Sequence, residues 1–366
     1  MEIVTYTPEH FARLAAAART APAGRSLCHR PFVDYYYTTA EWCRLYLALD
    51  KQGQVAAAIG LEHLPCEHEG RPVRIGCASN FVAFAKGAGG YLFLHWVRSS
   101  EVSCIYGGSE DTHRILMSQR WTYFPGVRIH RLNGRFETRP ADPPWRRAAK
   151  AVLRAVTRGV DVRAAAERAA AEPQWRALAV EEVRVAAPDM LPAGDAFAFR
   201  MRPTVDYLNW RYRTDLPFVR YRMFRLTQAG DACGYVILNE RPRQWLVAQA
   251  DAADPAALAG GILLALGAAA RTGDPRREVV LACAHRRMAA CFEHFGFVPG
   301  RADRPFALSA GRQPLDWSPD TSNWLVNFDW TDNGLRPPFL DEEAPGLREA
   351  RATSASGVVQ ASRYGA

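Results

Sequence analysis

No apolar run in the 366-residue chain approaches the roughly 18 residues that a membrane-spanning helix needs. The nearest, AALAGGILLALGAAA, is too short and too rich in Ala and Gly, and it reads as a buried helix. The opening residues MEIVTYTPEH lack the basic start and apolar core of a secretory signal, so a cytoplasmic protein is expected. Eight cysteines are scattered with no Cys-x-x-Cys pair, which suits a reduced compartment better than a disulfide framework. HLPCEHEG brings His63, Cys66 and His68 close together but offers no fourth ligand; it reads as a polar hairpin loop, and no metal is expected. Lysine is scarce, so the net charge of +8 comes almost wholly from arginine. That balance permits phosphorylated small molecules, tRNA or a membrane surface as partners without choosing among them.

What is present is an ordinary folded composition, 48% hydrophobic and 11% aromatic, on a chain long enough for two domains. The same order of elements reads twice. In the first half WCRLYLALD and QVAAAIGLEHL flank the turn DKQG as a hairpin. A strand in VRIGCASNFVAF follows, then the helix in KGAGGYLFLHWVRSS, the strand VSCIYGG, the helix SEDTHRILMSQRW and a closing strand near GVRIHRL. In the second half VRYRMFRL and CGYVILNE flank TQAGD, then QWLVAQAD leads to a helix from Ala256 to Ala270. EVVLACAH and MAACFEHFGFVPG complete the set. Gly53 and Trp121 stand almost as far apart as Gly230 and Phe297, which supports a duplicated α+β (α/β) layout.

These elements divide the chain into a first unit over residues 1–138, a linker over 139–179, a second unit over 180–312 and a C-terminal extension over 313–366. RPADPPW is a proline-rich break. Trp145 to Ala171 beyond it reads as one helix, with Trp145, Ala149, Val152, Val156 and Val160 on one stripe and Arg146, Arg147, Lys150, Arg154 and Arg158 opposite. Such a helix packs its stripe on a domain, the reading favoured here, or lies on an anionic membrane. The tail beyond Pro337 has no core pattern and is expected to be disordered.

With the elements placed, the chain resembles a tandem member of the GNAT acyltransferase superfamily. The resemblance covers roughly residues 1–132 and 180–308. It implies two units, each a mixed, mostly antiparallel twisted sheet flanked by helices. In that family the sheet splays between two central strands to receive the pantetheine of an acyl-CoA. A loop of the form Arg/Gln-x-x-Gly-x-Gly/Ala then cradles the pyrophosphate at a helix N-terminus. The matching segment here is AFAKGAGGYLFLHW. It implies Lys86, Gly87, Ala88, Gly89 and Gly90 as the cofactor loop, although Tyr91 replaces the expected small residue. In the second unit Asp254 and Pro255 start the helix instead, and a carboxylate there repels a pyrophosphate. The family's helix-end tyrosine, which protonates the departing thiolate, is replaced by Phe292 in the second unit and Leu116 in the first.

The resemblance implies an N-acyltransferase that moves an acyl group, acetyl by expectation, from acyl-CoA to an amine such as an amino sugar or another cell-envelope precursor. A nucleotide-sugar acceptor and a peripheral contact of 145–171 with an anionic membrane fit the charge. YGGSEDTHR offers Tyr106, Glu110 and His113 as catalytic candidates, with Ser109 and Asp111 as helix-start residues. Glu62 and Glu240 at the ends of hairpin strands are further candidate bases. TVDYLNWRYRTDLPFVRYR interleaves aromatics and arginines, so Tyr207, Trp210, Arg211 and Arg213 suit a sugar or nucleotide, or else a packed core with arginines at its rim. Two other readings stay open: a Fem-type aminoacyltransferase using aminoacyl-tRNA, and a non-catalytic protein built from degenerate units.

Overall fold

The computed structural model describes residues 1–107, 110–133, 143–157, 160–300, 306–311 and 315–330. The first half supplies β1 (Glu2–Thr5), α1 (Phe11–Ala18), α2 (Arg30–Thr38), β2 (Cys43–Leu49), β3 (Val55–His68), β4 (Arg71–Ala83), α3 (Ala88–Ser99), β5 (Val102–Tyr106), α4 (Glu110–Ser118), β6 (Thr122–Phe124) and β7 (Arg128–Leu132). The linker holds α5 (Pro144–Thr157) and α6 (Val162–Ala171). The second half supplies β8 (Leu178–Val183), β9 (Phe199–Met201), α7 (Val205–Arg211), β10 (Tyr221–Gln228), β11 (Asp231–Arg241), β12 (Gln244–Ala252), α8 (Pro255–Ala270), β13 (Glu278–Cys283), α9 (Arg286–His294), β14 (Val298–Pro299) and β15 (Phe306–Ser309).

Local chemistry sets the two hairpins. Asp50 accepts hydrogen bonds from the amides of Gln52 and Gln54, and Gly53 takes a positive φ of 70° to close the first turn. In the second, Ala229 and Gly230 both have positive φ, the conformation of a tight two-residue hairpin turn. Strand order then repeats position by position. One sheet runs β1-β2-β3-β4-β5-β15-β6 and the other β8-β10-β11-β12-β13-β7-β14. In each, all pairings along that order are antiparallel except one central parallel pair, β4 with β5 and β12 with β13.

One feature corrects the reading from sequence. The strand near GVRIHRL was expected to close the first unit, yet β7 pairs with β13 and β14 in the second sheet. In return β15 inserts between β5 and β6 of the first sheet. Each sheet therefore takes its sixth strand from the opposite half of the chain. Neither sheet is complete without the other half, and the exchange crosses the divide between residues 1–138 and 180–312.

The second correction concerns the linker. It is two helices, not one: Asp161 caps α6 through the amides of Arg163 and Ala164. Helix α6 buries Val162, Ala165 and Ala169, and Gly267 of α8 leaves room for Ala166 to approach closely. Helix α8 is buried nearly all round, as AALAGGILLALGAAA suggested; Gly260 lies under the Trp175 ring and Gly261 under Leu226. Among the described residues no helix is long and apolar enough to cross a membrane.

The halves are joined by buried charge. Arg211, at the end of α7, is 1% exposed. Its Nε donates to Glu62 on β3 at 3.1 Å, one terminal nitrogen donates to the Tyr221 hydroxyl at 3.1 Å, and the other lies 3.0 Å from the Asp329 carboxylate. The Tyr207 hydroxyl completes Glu62 at 2.7 Å. A second buried pair, Arg200 of β9 with Asp251 of β12 at 3.3 Å, links the first sheet to the second. Burial alone would lower the Arg211 pKa; Asp329 and Glu62 reverse that and hold it above its ordinary value. Asp329 is pushed up by burial, with Arg211 pulling the other way.

Two outcomes follow. Arg211→Met leaves two buried carboxylates uncompensated and should lower unfolding stability by about 3–5 kcal/mol in denaturant titration. Asp329→Asn removes a carboxyl whose folded pKa is raised. A raised carboxyl favours the fold most below its unfolded pKa of about 3.9, and that contribution fades as pH rises through the folded value. The stability of Asp329→Asn relative to the unmutated chain should therefore improve from pH 4 to pH 7; an unchanged difference would exclude this assignment.

Candidate functional site: a splayed first sheet and a filled second one

In the first sheet β4 and β5 pair only over Ile75–Val102, Gly76–Ser103 and Cys77–Cys104. Beyond Cys77 they part, and β4 runs on alone on that side to Ala83. A bulge interrupts this free stretch: Asn80 has φ of 48°, which asparagine tolerates better than most residues. Its side chain is held from both ends, accepting from the Ser26 hydroxyl and donating to the Tyr37 hydroxyl at 2.8 Å. Gly60 opposite leaves no room for a Cβ against Tyr37 and Ser79. Sequence reading missed Ser26, Tyr37 and Asn80. The only signal was an asparagine inside a strand pattern.

The chain then turns through Phe84–Gly87 into α3. Gly87 has φ of 79° and no side chain caps the helix. Lys86, Gly87 and Gly90 are exposed, Gly89 is half-buried and Ala88 is fully buried as the helix anchor. Cβ atoms at Gly87 and Gly90 would meet nothing within 4 Å, so the loop faces open space. Within this turn the Ala88 amide donates to the Ala85 carbonyl at 3.2 Å and the Gly90 amide to the Gly87 carbonyl at 3.3 Å, long bonds at the positive end of the helix.

The catalytic candidates lie on β5 and the helix that follows it. Tyr106 ends β5, 6% exposed, with its ring against Phe306 at 5.7 Å and Phe328 at 6.3 Å. His113 lies on α4 one turn before buried Leu116, its ring 6.1 Å from that of Tyr123. Glu110 begins α4, but its side chain and that of Asp111 lie outside the described residues, as does Ser109.

The second sheet has the same splay with different contents. β12 and β13 pair from Gln244–Glu278 to Leu246–Val280 and then part. The C-terminal extension fills the gap. The Asn327 side chain accepts from the Ala250 amide at 3.0 Å, and the Asp329 amide donates to the Ala248 carbonyl at 3.1 Å. Phe328 packs on Leu246 and Val280. Residues Trp324 to Trp330 are all at most 5% exposed. Among the described residues no equivalent backbone bond from another segment reaches β4 beyond Cys77.

The helix after β12 is closed as well. Asp254 caps α8, its carboxylate accepting from the amides of Ala256 and Ala257 at 2.8 and 2.9 Å. The chain thus supplies its own anion there. A pocket of about 380 Å³ adjoins this end, lined by Trp175, Asp254, Arg287, Cys291, His294 and Phe295. Its volume does not make it a pyrophosphate site, because the helix amides already have their acceptor.

Other sequence candidates are accounted for. Tyr207, Trp210 and Arg211 are buried, at 1%, 9% and 1% exposure, so this run is core and not a sugar-binding surface. Trp210 is pinned by its indole N–H on Thr39 and its carbonyl under Tyr35. Arg213 is exposed and paired with Asp215. Glu62 is engaged by Tyr207 and Arg211, and Glu240 by Arg277. His63, Cys66 and His68 fall within strand β3 and not in a loop; His68 stacks on Trp317 at 4.0 Å. Among the described residues no group of three or more His, Cys, Asp or Glu is placed to hold a metal ion. Phe292 is fully buried against Phe297, a fold marker at the end of α9.

No family model matches the chain, and no curated protein matches it in sequence. Its fold does have solved counterparts. A GCN5-related N-acetyltransferase from Anabaena variabilis superposes with a TM-score of 0.52 at 11% identity, over 84% of this chain and 72% of that one. Saccharomyces cerevisiae N-myristoyltransferase with bound myristoyl-CoA gives 0.51 at 10% identity, over 88% and 86%. The fold is the GNAT fold, present twice. At these identities the likeness speaks of architecture, so the chemistry of each GNAT unit has to be argued from its own residues.

The closed nest has a measurable consequence. Asp254→Ala removes the α8 cap and should lower stability by about 1 kcal/mol in chemical denaturation. No loss would mean that the carboxylate does not satisfy those amides.

Proposed function

We propose that the protein is an acyl-CoA-dependent N-acyltransferase whose chemistry is confined to the first GNAT unit. The observation that carries this reading is the contrast between the two units. In one, β4 runs past Cys77 with no backbone partner on the β5 side among the described residues and leads to a glycine-rich helix start that no side chain caps. The other has its splay filled by residues 324–330 and its helix start capped by Asp254. In this reading the Gly89 amide, the positive end of α3 and the Lys86 ammonium hold the pyrophosphate of the cofactor, with the glycines letting it approach the backbone. The pantetheine then follows β4 past the bulge at Asn80, which brings the thioester toward the ends of β4 and β5.

The reaction is a simple acyl transfer. The acceptor amine attacks the thioester carbonyl carbon; the C–N bond forms, the C–S bond breaks, and the CoA thiolate leaves. The amine proton goes to a base, for which His113 and Glu110 are the candidates. Thiolate is a stable leaving group, so water can protonate it where neither unit carries the helix-end tyrosine. Acetyl-CoA is the donor to test first. The acceptor is a small amine; with Tyr207, Trp210 and Arg211 buried, the amino-sugar reading has lost its proposed surface.

Calorimetric titration with acetyl-CoA should give a single site per chain. Gly89→Asp puts a carboxylate in the first helix turn, mimicking Asp254, and should weaken binding by about a hundredfold. Asp254→Ala should leave affinity unchanged. No binding to the unmutated chain, or a loss with Asp254→Ala and not with Gly89→Asp, would refute the assignment. The buried Leu116 and Phe292 in the tyrosine positions favour one second reading, a non-catalytic acyl-CoA-binding protein. It predicts the same binding with no CoA release in the presence of amines.

A further inference from the structure

Helix α5 is the motif that acyl transfer leaves unused. Its apolar residues Trp145, Ala149 and Val152 fall on one side at helical spacing, and Arg146, Arg147 and Lys150 on the other. The favoured expectation was that this stripe packs on a domain. Val160 at its far end does pack against the second core, but along α5 Trp145 is 71% exposed and Val152 63% exposed, with Ala149 exposed between them. The contrast with α6 is sharp, because α6 buries its own apolar face against α8. A contiguous apolar stripe left in water and rimmed by basic side chains marks an interaction surface.

Charge and side-chain type indicate what covers it. A nucleic acid would use the arginines and leave the tryptophan and valine in water. A lipid surface uses both. Tryptophan settles at the boundary between headgroups and acyl chains, and basic residues beside the stripe meet anionic headgroups. The net charge of +8 adds attraction of the same sign at longer range. We propose that α5 docks the protein on an anionic lipid bilayer, with Trp145, Ala149 and Val152 in the interface and Arg146, Arg147 and Lys150 against the lipid phosphates.

This proposal is independent of the acyl-transfer reading. The test uses the full chain and sedimentation with vesicles of equimolar phosphatidylcholine and phosphatidylglycerol, compared with phosphatidylcholine alone. The chain should partition onto the anionic vesicles and not the neutral ones. Changing Arg146, Arg147 and Lys150 together to Glu should weaken binding by about a hundredfold or more. Val152→Asp, which keeps every basic residue, should weaken it by about tenfold. All four positions lie at or near the surface, so an unchanged melting temperature checks that the fold is retained. Failure to bind anionic vesicles overturns the proposal. So does a Val152→Asp variant that binds as tightly as the unmutated chain, and so does tRNA binding that needs the three basic residues but is indifferent to Val152→Asp.

Discussion

The ion cluster around Arg211 is the contact on which the arrangement depends. One guanidinium serves two buried carboxylates, Glu62 from the first sheet and Asp329 from the C-terminal extension. A charge this deep in a protein is tolerated only while its partners are in place. That condition fixes α7 against β3 and draws the extension between the units. Once Asp329 is seated there, Phe328 lies between the parted strands of the second sheet and also against Tyr106 at the end of β5. The exchanged strands β7 and β15 bind the units a second way, through backbone ladders. Separating the halves would therefore cost two charge clusters, two strands and a shared aromatic core.

This construction gives the second unit a structural task. In a splayed sheet the free edges of the central strands need partners, since buried backbone groups left unpaired are costly. Residues 327 and 329 supply them on β12, and Asp254 supplies the acceptor at the α8 amides. In the first unit, among the described residues, no backbone bond from another segment reaches β4 past Cys77 on its β5 side, and no side chain caps α3, whose Ala88 and Gly90 amides bond only to the nearby Ala85 and Gly87 carbonyls. In the proposed reading an acyl-CoA would supply both, with an extended polar arm along β4 and a pyrophosphate at the α3 start. The two sheets share one strand order and differ at these two places, the parted central strands and the following helix start.

Local features were legible in the sequence. The hairpin turns at Gly53 and Gly230, the burial of α8, the Asp254 cap and the glycine-rich start of α3 all follow from residues within a few positions of one another. The strand exchange was not legible, because a five-residue strand such as RIHRL carries no mark of which sheet it will join. Arg211 was ambiguous for a related reason: an aromatic–arginine run reads alike on a surface and in a core until the carboxylates that neutralise it are located. Those are Glu62 and Asp329, both far away in sequence. The plug NWLVNFDW has no helical or strand period to announce it, since its side chains serve two sheets at once. The linker reads as one helix because no proline breaks it; what the pattern does not announce is the fresh start at Asp161, whose carboxylate caps the second helix.

In the proposed reading the first cleft receives the cofactor, while residues 324–330 occupy the second. Amide hydrogen exchange with and without saturating acetyl-CoA tests this most directly. New protection is expected over Ala78–Tyr91, covering β4 past Cys77 and the start of α3, with Val247–Ala257 unchanged. Protection appearing over Val247–Ala257, or an unaltered Ala78–Tyr91 despite saturation, would contradict it.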